Sequence, residues 1–160
     1  MEKIIHGGKT EYDLDGRERF EEELIFKLFP DAVICLESAL HYHHYIDRRP
    51  YAWHLAVAEN ALRDRFDIQY PVIVPYYTEP ETLELGVTET AFASGRMKIY
   101  TKERTVCDCL KYEEKLERDL FKRALISYIA DSEKDIAALL EIAKEREVLQ
   151  KVQNMIGVWL

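Results

Sequence analysis

Residues 86–112, GVTETAFASGRMKIYTKERTVCDCLKY, decide the fold because the spacing of apolar residues changes within them. The alternation within Leu83–Ala93 is typical of a strand, and Ser94-Gly95-Arg96 predicts a hairpin turn into a second strand at Met97–Tyr100. A helix is expected to follow over Thr101–Tyr112, because the threonine hydroxyl can cap its first turn. A hairpin that leads directly into a helix is typical of an α+β domain.

The N-terminal half predicts two helices followed by strands. Residues 1–16 are rich in turn formers and are expected to be irregular, and apolar spacing predicts a helix over Arg17–Pro30. A second helix is expected over Leu36–Tyr45. Aromatic and β-branched residues predict β structure at Tyr51–Ala58 and a strand within Gln69–Tyr77, where two prolines indicate the edge of a sheet.

The last sixty residues predict helices joined by short turns. An apolar stripe over Leu116–Ile129 indicates one helix, and Ser132 followed by Asp135 resembles a capping box at the start of the next. Apolar residues within Val148–Trp159 indicate a final helix. The prediction is an α+β domain over residues 17–160, with a small, mostly antiparallel sheet, flanking helices and a helical C-terminal third.

The composition is that of one globular domain, since the 160 residues are 48% hydrophobic and 32% charged. The longest apolar runs are only a few residues, so no membrane-spanning helix is expected, and the opening residues do not form a secretory signal. The three cysteines are odd in number, and Cys107 and Cys109 are too close for an ordinary bridge. These features predict a cytoplasmic protein with reduced thiols.

The net charge of −8 argues against a domain that binds nucleic acid through a broad surface. Residues 1–100 carry 11 basic and 18 acidic side chains, whereas residues 101–160 carry 11 and 12. Any basic patch is therefore expected in the C-terminal third. The candidate residues are Arg118, Lys122 and Arg123. Glu117 and Asp119 beside them favour an ordinary solvated helix face over a binding surface.

The densest group of candidate metal ligands is His41-Tyr42-His43-His44. His41 and His44 have the i, i+3 spacing of ligands on one helix face. The nearest further ligands are Cys35, Glu37 and His54. No zinc-finger cysteine pair or metalloprotease motif accompanies them, so we expect no bound metal and interpret the group as a partly exposed helix end. A metal-dependent enzyme that uses His41, His44 and a carboxylate is the alternative.

Motifs for other chemistries are weak. A nucleotidyltransferase active site would combine a turn such as Gly7-Gly8 with paired carboxylates such as Asp13-x-Asp15. Too few residues separate the two motifs here for the strand and helix that such an active site needs. The chain has no phosphate-binding loop of the Gly-x-x-x-x-Gly-Lys type and no Gly-x-Ser-x-Gly elbow. The case for an enzyme is therefore weak, and no cofactor is expected. A protein–protein interaction module stays open, with a candidate aromatic surface formed by Tyr42, Tyr45, Tyr76 and Tyr77.

The segment TKERTVCDCLKY resembles a signature in the C-terminal domain of AbiEi-family antitoxins, from type IV toxin–antitoxin abortive-infection systems. That signature reads Ser/Thr-Pro-x-Arg/Lys-Thr-x-x-Asp-x-Phe/Leu, and Lys102 replaces its proline here. The matching residues are Arg104, Thr105, Asp108 and Leu110. The segment LESALHYHHYID at Leu36–Asp47 and the hairpin at Gly86–Tyr100 are also similar to parts of that domain. The resemblance covers roughly residues 17–160.

The resemblance implies a cytoplasmic prokaryotic regulator in which Arg104, Thr105 and Asp108 are structural. Family members join this domain to an N-terminal winged helix, bind operator DNA, repress their own operon and counteract a nucleotidyltransferase-like toxin without forming a stable complex with it. Only about 16 residues precede the first predicted helix here. The expectation is therefore operator binding through a module absent from this chain, at most weak DNA binding by this domain, and the toxin as a genetic partner. Residues 1–16 are interpreted as a candidate remnant of the missing module.

Overall fold

The hairpin and helix predicted within residues 83–112 are confirmed in a computed structural model, which describes the backbone of residues 11–160 and the side chains of residues 16–160. Within these residues the helices are α1 Glu11–Leu28, α2 Leu36–Tyr42, α3 Pro80–Leu83, α4 Lys102–Lys111, α5 Arg118–Ala130, α6 Ile136–Glu145 and α7 Leu149–Met155. The strands are β1 Val33–Ile34, β2 Trp53–Ala58, β3 Ile73–Thr78, β4 Val87–Phe92 and β5 Gly95–Tyr100. Short 3₁₀ turns lie at Arg63–Phe66, Glu113–Lys115 and Gly157–Trp159.

The five strands form one sheet in the order β3-β2-β1-β5-β4. The α+β class is confirmed, but the sheet is mixed rather than mostly antiparallel: β1–β2 and β4–β5 pair antiparallel, whereas β2–β3 and β1–β5 pair parallel. The reason lies in the connections, because residues 59–72 are enough to return the chain to the same end of the sheet before β3 begins. The predicted edge strand is confirmed, since β3 lies at the border and contains Pro75.

Two apolar clusters cover the two faces of the sheet. Neighbouring residues of β1 enter different clusters, as the period of a strand requires: Val33 packs with the C-terminal helices and Ile34 packs with α1. The three cysteines are free and buried, and two of them, Cys107 and Cys109, pack α4 into the first cluster. No helix among residues 11–160 has the length and apolar content needed to cross a membrane.

Several predicted boundaries are wrong. The first helix begins at Glu11 instead of Arg17, so residues 11–16 are helical rather than irregular; residues 1–10, with the rest of the candidate remnant, lie outside the described residues. Helix α2 ends at Tyr42 rather than Tyr45. The cap of α6 is Asp135, whose carboxylate accepts from the Ala138 amide at 3.0 Å, so Ser132 lies before the helix. Apolar spacing indicates that a helix is present but does not fix the residue at which the helix begins or ends.

Gly86 is a position where only glycine fits. Its φ is +76°, and a Cβ atom there would lie 2.8 Å from the Cβ of Arg104. Its carbonyl accepts from the amide of Thr101 at 2.8 Å, which sets the entry into α4. Gly86 therefore allows the chain to pass close against α4, the helix that contains the signature residues.

We expect Gly86→Ala to lower the free energy of unfolding by about 2 kcal/mol or more, because it combines left-handed strain with a contact against α4. Urea unfolding followed by circular dichroism measures the change. Gly16→Ala is the control: Gly16 is an exposed residue of α1, and no atom lies within 4 Å of an added Cβ. That control should gain about 0.5–1 kcal/mol from helix propensity. Equal stability of the two variants would contradict the prediction.

Candidate functional site

Helix α4 carries its charged signature residues inside the protein. Arg104 is 1% exposed and Asp108 is 2% exposed. The Nε atom of Arg104 donates to both carboxylate oxygens of Asp108, four residues further along the helix, at 3.0 Å. The Nη1 atom of Arg104 donates to the carbonyls of Thr82 and Leu85, each at 2.6 Å. One guanidinium therefore ties α4 to the segment that leads from α3 to β4.

Arg146, at the C-terminal end of α6, brings a second guanidinium to the same carboxylate. Its Nε and Nη2 atoms lie 3.0 and 2.9 Å from Oδ1 of Asp108, and its Nη1 atom donates to the hydroxyl of Thr82 at 3.1 Å. Burial alone would lower the pKa of Arg146, but the charge of Asp108 and contact with Tyr112 outweigh it and raise that pKa. Nothing in the sequence marks Arg146 as a partner of Asp108, since 38 residues separate them along the chain.

Two further residues fix the position of α4. Thr105 is buried, and its hydroxyl donates to the carbonyl of Tyr100 at 3.4 Å. Glu103 accepts from the hydroxyl of Tyr128 at 2.9 Å and from the amide of Asp135 at 2.7 Å. The signature residues thus hold α4 against neighbouring segments, and their burial leaves them no surface for a partner.

His41 and His44 do not lie on one helix face. Helix α2 ends at Tyr42, and His44 lies beyond it with φ +64°, so the i, i+3 geometry between His41 and His44 is lost. The Nε2 atom of His41 lies 2.9 Å from Glu18, whereas the Nε2 atom of His43 contacts the carbonyl of Tyr100 at 2.8 Å. Within the part of the chain that the structure describes, no three His, Cys, Asp or Glu side chains are grouped to hold a metal ion.

A serine, a histidine and a glutamate that sequence spacing does not connect lie together between α2 and β2. The hydroxyl of Ser38 lies 3.5 Å from Nδ1 of His54, and Nε2 of His54 lies 4.0 Å from Glu37. Both distances exceed the 2.6–3.2 Å expected between a nucleophile, its base and the group that orients the base. Ser38 is buried and accepts from the amide of His54 at 2.9 Å. This contact attaches α2 to the sheet.

His54 makes stability depend on pH. Burial lowers its pKa from 6.5 to about 4, although a backbone contact with Ala52 opposes the change. The unfolded state therefore binds more protons between these two values, so stability is fully present above pH 6.5 and is lost as the pH falls towards 4.

We expect the free energy of unfolding to fall by about 2 kcal/mol between pH 7 and pH 5 because of His54. Urea unfolding at both pH values measures this slope, and His54→Gln should flatten it. His44→Gln is the control, because the side chain of His44 is exposed. A slope that persists in the His54 variant would assign the effect to other groups.

Carboxylates of α1 hold that helix on the sheet. Glu21 is buried and accepts from the indole N–H of Trp53 at 2.7 Å, from Arg49 and from the hydroxyl of Tyr70. Burial alone would raise the pKa of Glu21, but these donors together lower it. Glu22 accepts from the backbone amide of Ala93 at 2.7 Å.

The candidate basic patch lies on the exposed surface of α5. All three of its residues are exposed, namely Arg118, Lys122 and Arg123. Arg123 is paired with Asp47 at 2.9 Å, and both Glu117 and Asp119 are exposed beside the patch. The patch is therefore interleaved with acidic side chains.

The four tyrosines proposed as an aromatic surface do not share one. Tyr45 is buried and donates to Asp131 at 2.6 Å. Tyr76 and Tyr77 are adjacent in β3 and pack with clusters on opposite faces of the sheet, and Tyr42 packs with the α1 cluster. A different tyrosine, Tyr51, is 88% exposed.

Tyr51 stands beside a surface groove with a volume of about 710 Å³. We call it the 46–51 groove, because residues 46–51 form one wall and residues 117–123, at the start of α5, form the other. Six of its lining residues are Glu37, Ile46, Arg48, Tyr51, Glu117 and Leu120. No local pattern predicts this groove, because its two walls are distant in the sequence.

Comparison with known proteins adds no family to these observations: no family model matches the chain, and a search of curated proteins finds no match.

Proposed function

We propose that this chain is an antitoxin-like regulatory domain of a type IV toxin–antitoxin system that acts by binding rather than by catalysis. The observation that carries the proposal is the signature helix α4. Its matching residues Arg104, Thr105 and Asp108 are buried together and attach the helix to the surrounding fold. This arrangement supports the structural role that the resemblance to AbiEi-family antitoxins implies for them.

In this proposal operator DNA is contacted mainly by a winged-helix module that residues 17–160 do not include. The net charge of −8 supports this division, since a surface that neutralises phosphates needs excess basic side chains. The α5 patch adds little, because Arg123 is paired and acidic residues flank the other two. A nucleotidyltransferase-like toxin is the proposed genetic partner, and the cytoplasm is the proposed location.

Co-expression with a toxin tests the proposal directly. The chain would be expressed with the nucleotidyltransferase-like protein whose gene adjoins its own, and colony formation would be counted with and without induction of the chain. We expect the chain to restore growth that the toxin arrests. The control is a toxin with its metal-binding carboxylates replaced, which should not arrest growth. An arrest that the chain leaves unchanged, or the lack of such an adjacent gene, would contradict the proposal.

A gel-shift experiment with DNA from upstream of the operon tests whether this domain makes the main DNA contact. We expect this chain alone to give a weak shift at 50 mM salt that is lost by 200 mM salt, because few phosphates are neutralised. A tight shift that survives 200 mM salt would place the main DNA contact within this domain and overturn this part of the proposal.

A further inference from the structure

We propose that the 46–51 groove binds an extended segment of a partner protein through an arginine or lysine side chain, whose charge is neutralised by Glu37. This proposal does not depend on the antitoxin role, and the groove contains none of the buried α4 residues that carry that role.

The size of the groove favours a polypeptide over a small ion. Its volume of about 710 Å³ falls within the range of binding pockets that hold several side chains or a drug-sized ligand. A single metal ion or ammonium group would leave most of this space to water. A peptide segment could place one long side chain in the groove and leave its backbone along the rim.

The charged residues that line the groove favour a cationic ligand. Two of the arginines are paired, Arg49 with Glu21 and Arg123 with Asp47, whereas Arg48 is mostly exposed and lies 4.0 Å from Glu117. Asp119 and Glu37 are the lining carboxylates that these pairs do not use. The groove therefore presents acidic groups that an arriving basic side chain can neutralise.

Glu37 is the better placed of these two carboxylates. Its side chain is 26% exposed, which leaves it accessible but poorly hydrated. Burial and then the charge of Glu117 raise its pKa, while Arg48 opposes them. Among the residues that the structure describes, His54 approaches Glu37 at 4.0 Å, and the low pKa of His54 keeps that ring neutral at pH 7. A guanidinium or ammonium group that enters the groove would pair with the carboxylate of Glu37.

The walls of the groove suit the rest of a long basic side chain. Ile46 and Leu120 offer apolar surface to its methylene stem, as amphipathic side chains require. Tyr51 is 88% exposed at the rim, where its ring can stack on a guanidinium or pack against the peptide. Tyrosine, tryptophan and arginine are enriched among the residues that contribute most to affinity in protein interfaces.

A peptide titration followed by two-dimensional NMR of the full chain tests the proposal. The probe is the capped peptide acetyl-Gly-Leu-Arg-Leu-Gly-amide, and the matched probe has glutamine in place of arginine. We expect the arginine peptide to bind with a dissociation constant on the order of 1 mM, with shifts concentrated at Glu37, Tyr51 and Leu120. Affinity should fall in 0.5 M salt, because the contact is between charges.

Three variants decide the outcome. Glu37→Gln and Tyr51→Ala should each lower the affinity for the arginine peptide about fivefold or more. The exposed position of Tyr51 ensures that its variant folds. Glu89→Gln, in an exposed pair with Arg96 on the hairpin, is the control and should bind normally. Equal binding of the two peptides, shifts outside the groove, or unchanged affinity in both groove variants would overturn the proposal. Tighter binding of spermidine than of the peptide, at the same residues, would overturn the choice of a protein partner.

Discussion

Replacing Asp108 with alanine is expected to lower the free energy of unfolding by about 3–5 kcal/mol. The carboxylate is buried between the guanidinium groups of Arg104 and Arg146, and both would remain inside the protein without their countercharge. The loss would also remove the ion pair that joins α4 to Arg146 at the end of α6. Urea unfolding of the wild type and the variant measures the change.

Glu141→Ala is the matched control, because Glu141 is an exposed acid on α6 and its replacement should change stability by no more than about 0.5 kcal/mol. Asp108→Asn keeps the size of the side chain and removes its charge, so a large loss in this variant as well would identify the charge as the cause. If Asp108→Ala were as mild as the control, the buried network would contribute little to stability.

Replacing Glu21 with alanine is expected to cost about 2–4 kcal/mol. The indole N–H of Trp53 is buried and would lose its acceptor, and Arg49 would lose its countercharge. Tyr70 is 49% exposed and can turn to water, so its contact adds less. The change can be measured by thermal or urea unfolding, with Trp53 fluorescence as the local signal.

Glu23→Ala separates this effect from helix propensity, because Glu23 is an exposed residue of the same helix. We expect that control to keep wild-type stability and emission. If both variants lost the same stability, the contacts of Glu21 would not be what holds α1 on the sheet.

Local signals account for the parts of the fold that sequence reasoning predicted well. The side chain of Thr101 accepts from the amide of Arg104 at 3.2 Å, as its position before the helix predicts. The hairpin depends on residues close in sequence, and its turn falls at Ala93 and Ser94, one position earlier than predicted. The i, i+4 spacing also predicts the pair of Arg104 and Asp108, although spacing cannot predict that it is buried.

Tertiary contacts account for what sequence reasoning missed. Asp13–Gly16 contains residues that are common in turns, yet α1 runs through them and is attached to the sheet further along by Glu21. Strand β1 has two residues, which is too short for any alternating pattern, and exists through its pairing with β2 and β5. His41 and His44 have i, i+3 spacing in the sequence but do not share a helix face, because α2 ends before His44.

In the candidate site, too, local features could be predicted and features that depend on tertiary contacts could not. Residues of α4 could be singled out because a compact signature lies within twelve residues. The 46–51 groove could not, because it forms where a loop after α2 meets the start of α5. Arg146 is a further example, since its role depends on where α6 ends in space.

The two-residue strand β1 has a consequence for the order in which the protein folds. It alone joins β2 to β5 in the sheet, and its contact between Ile34 and Ile99 closes a long stretch of chain. Closing such a long loop has an entropic cost, and the hydrogen bonds of a two-residue strand offset little of that cost. The hairpin β4–β5 closes a short loop and is expected to form early, so the rate-limiting event would be the union of two half-sheets through Val33 and Ile34.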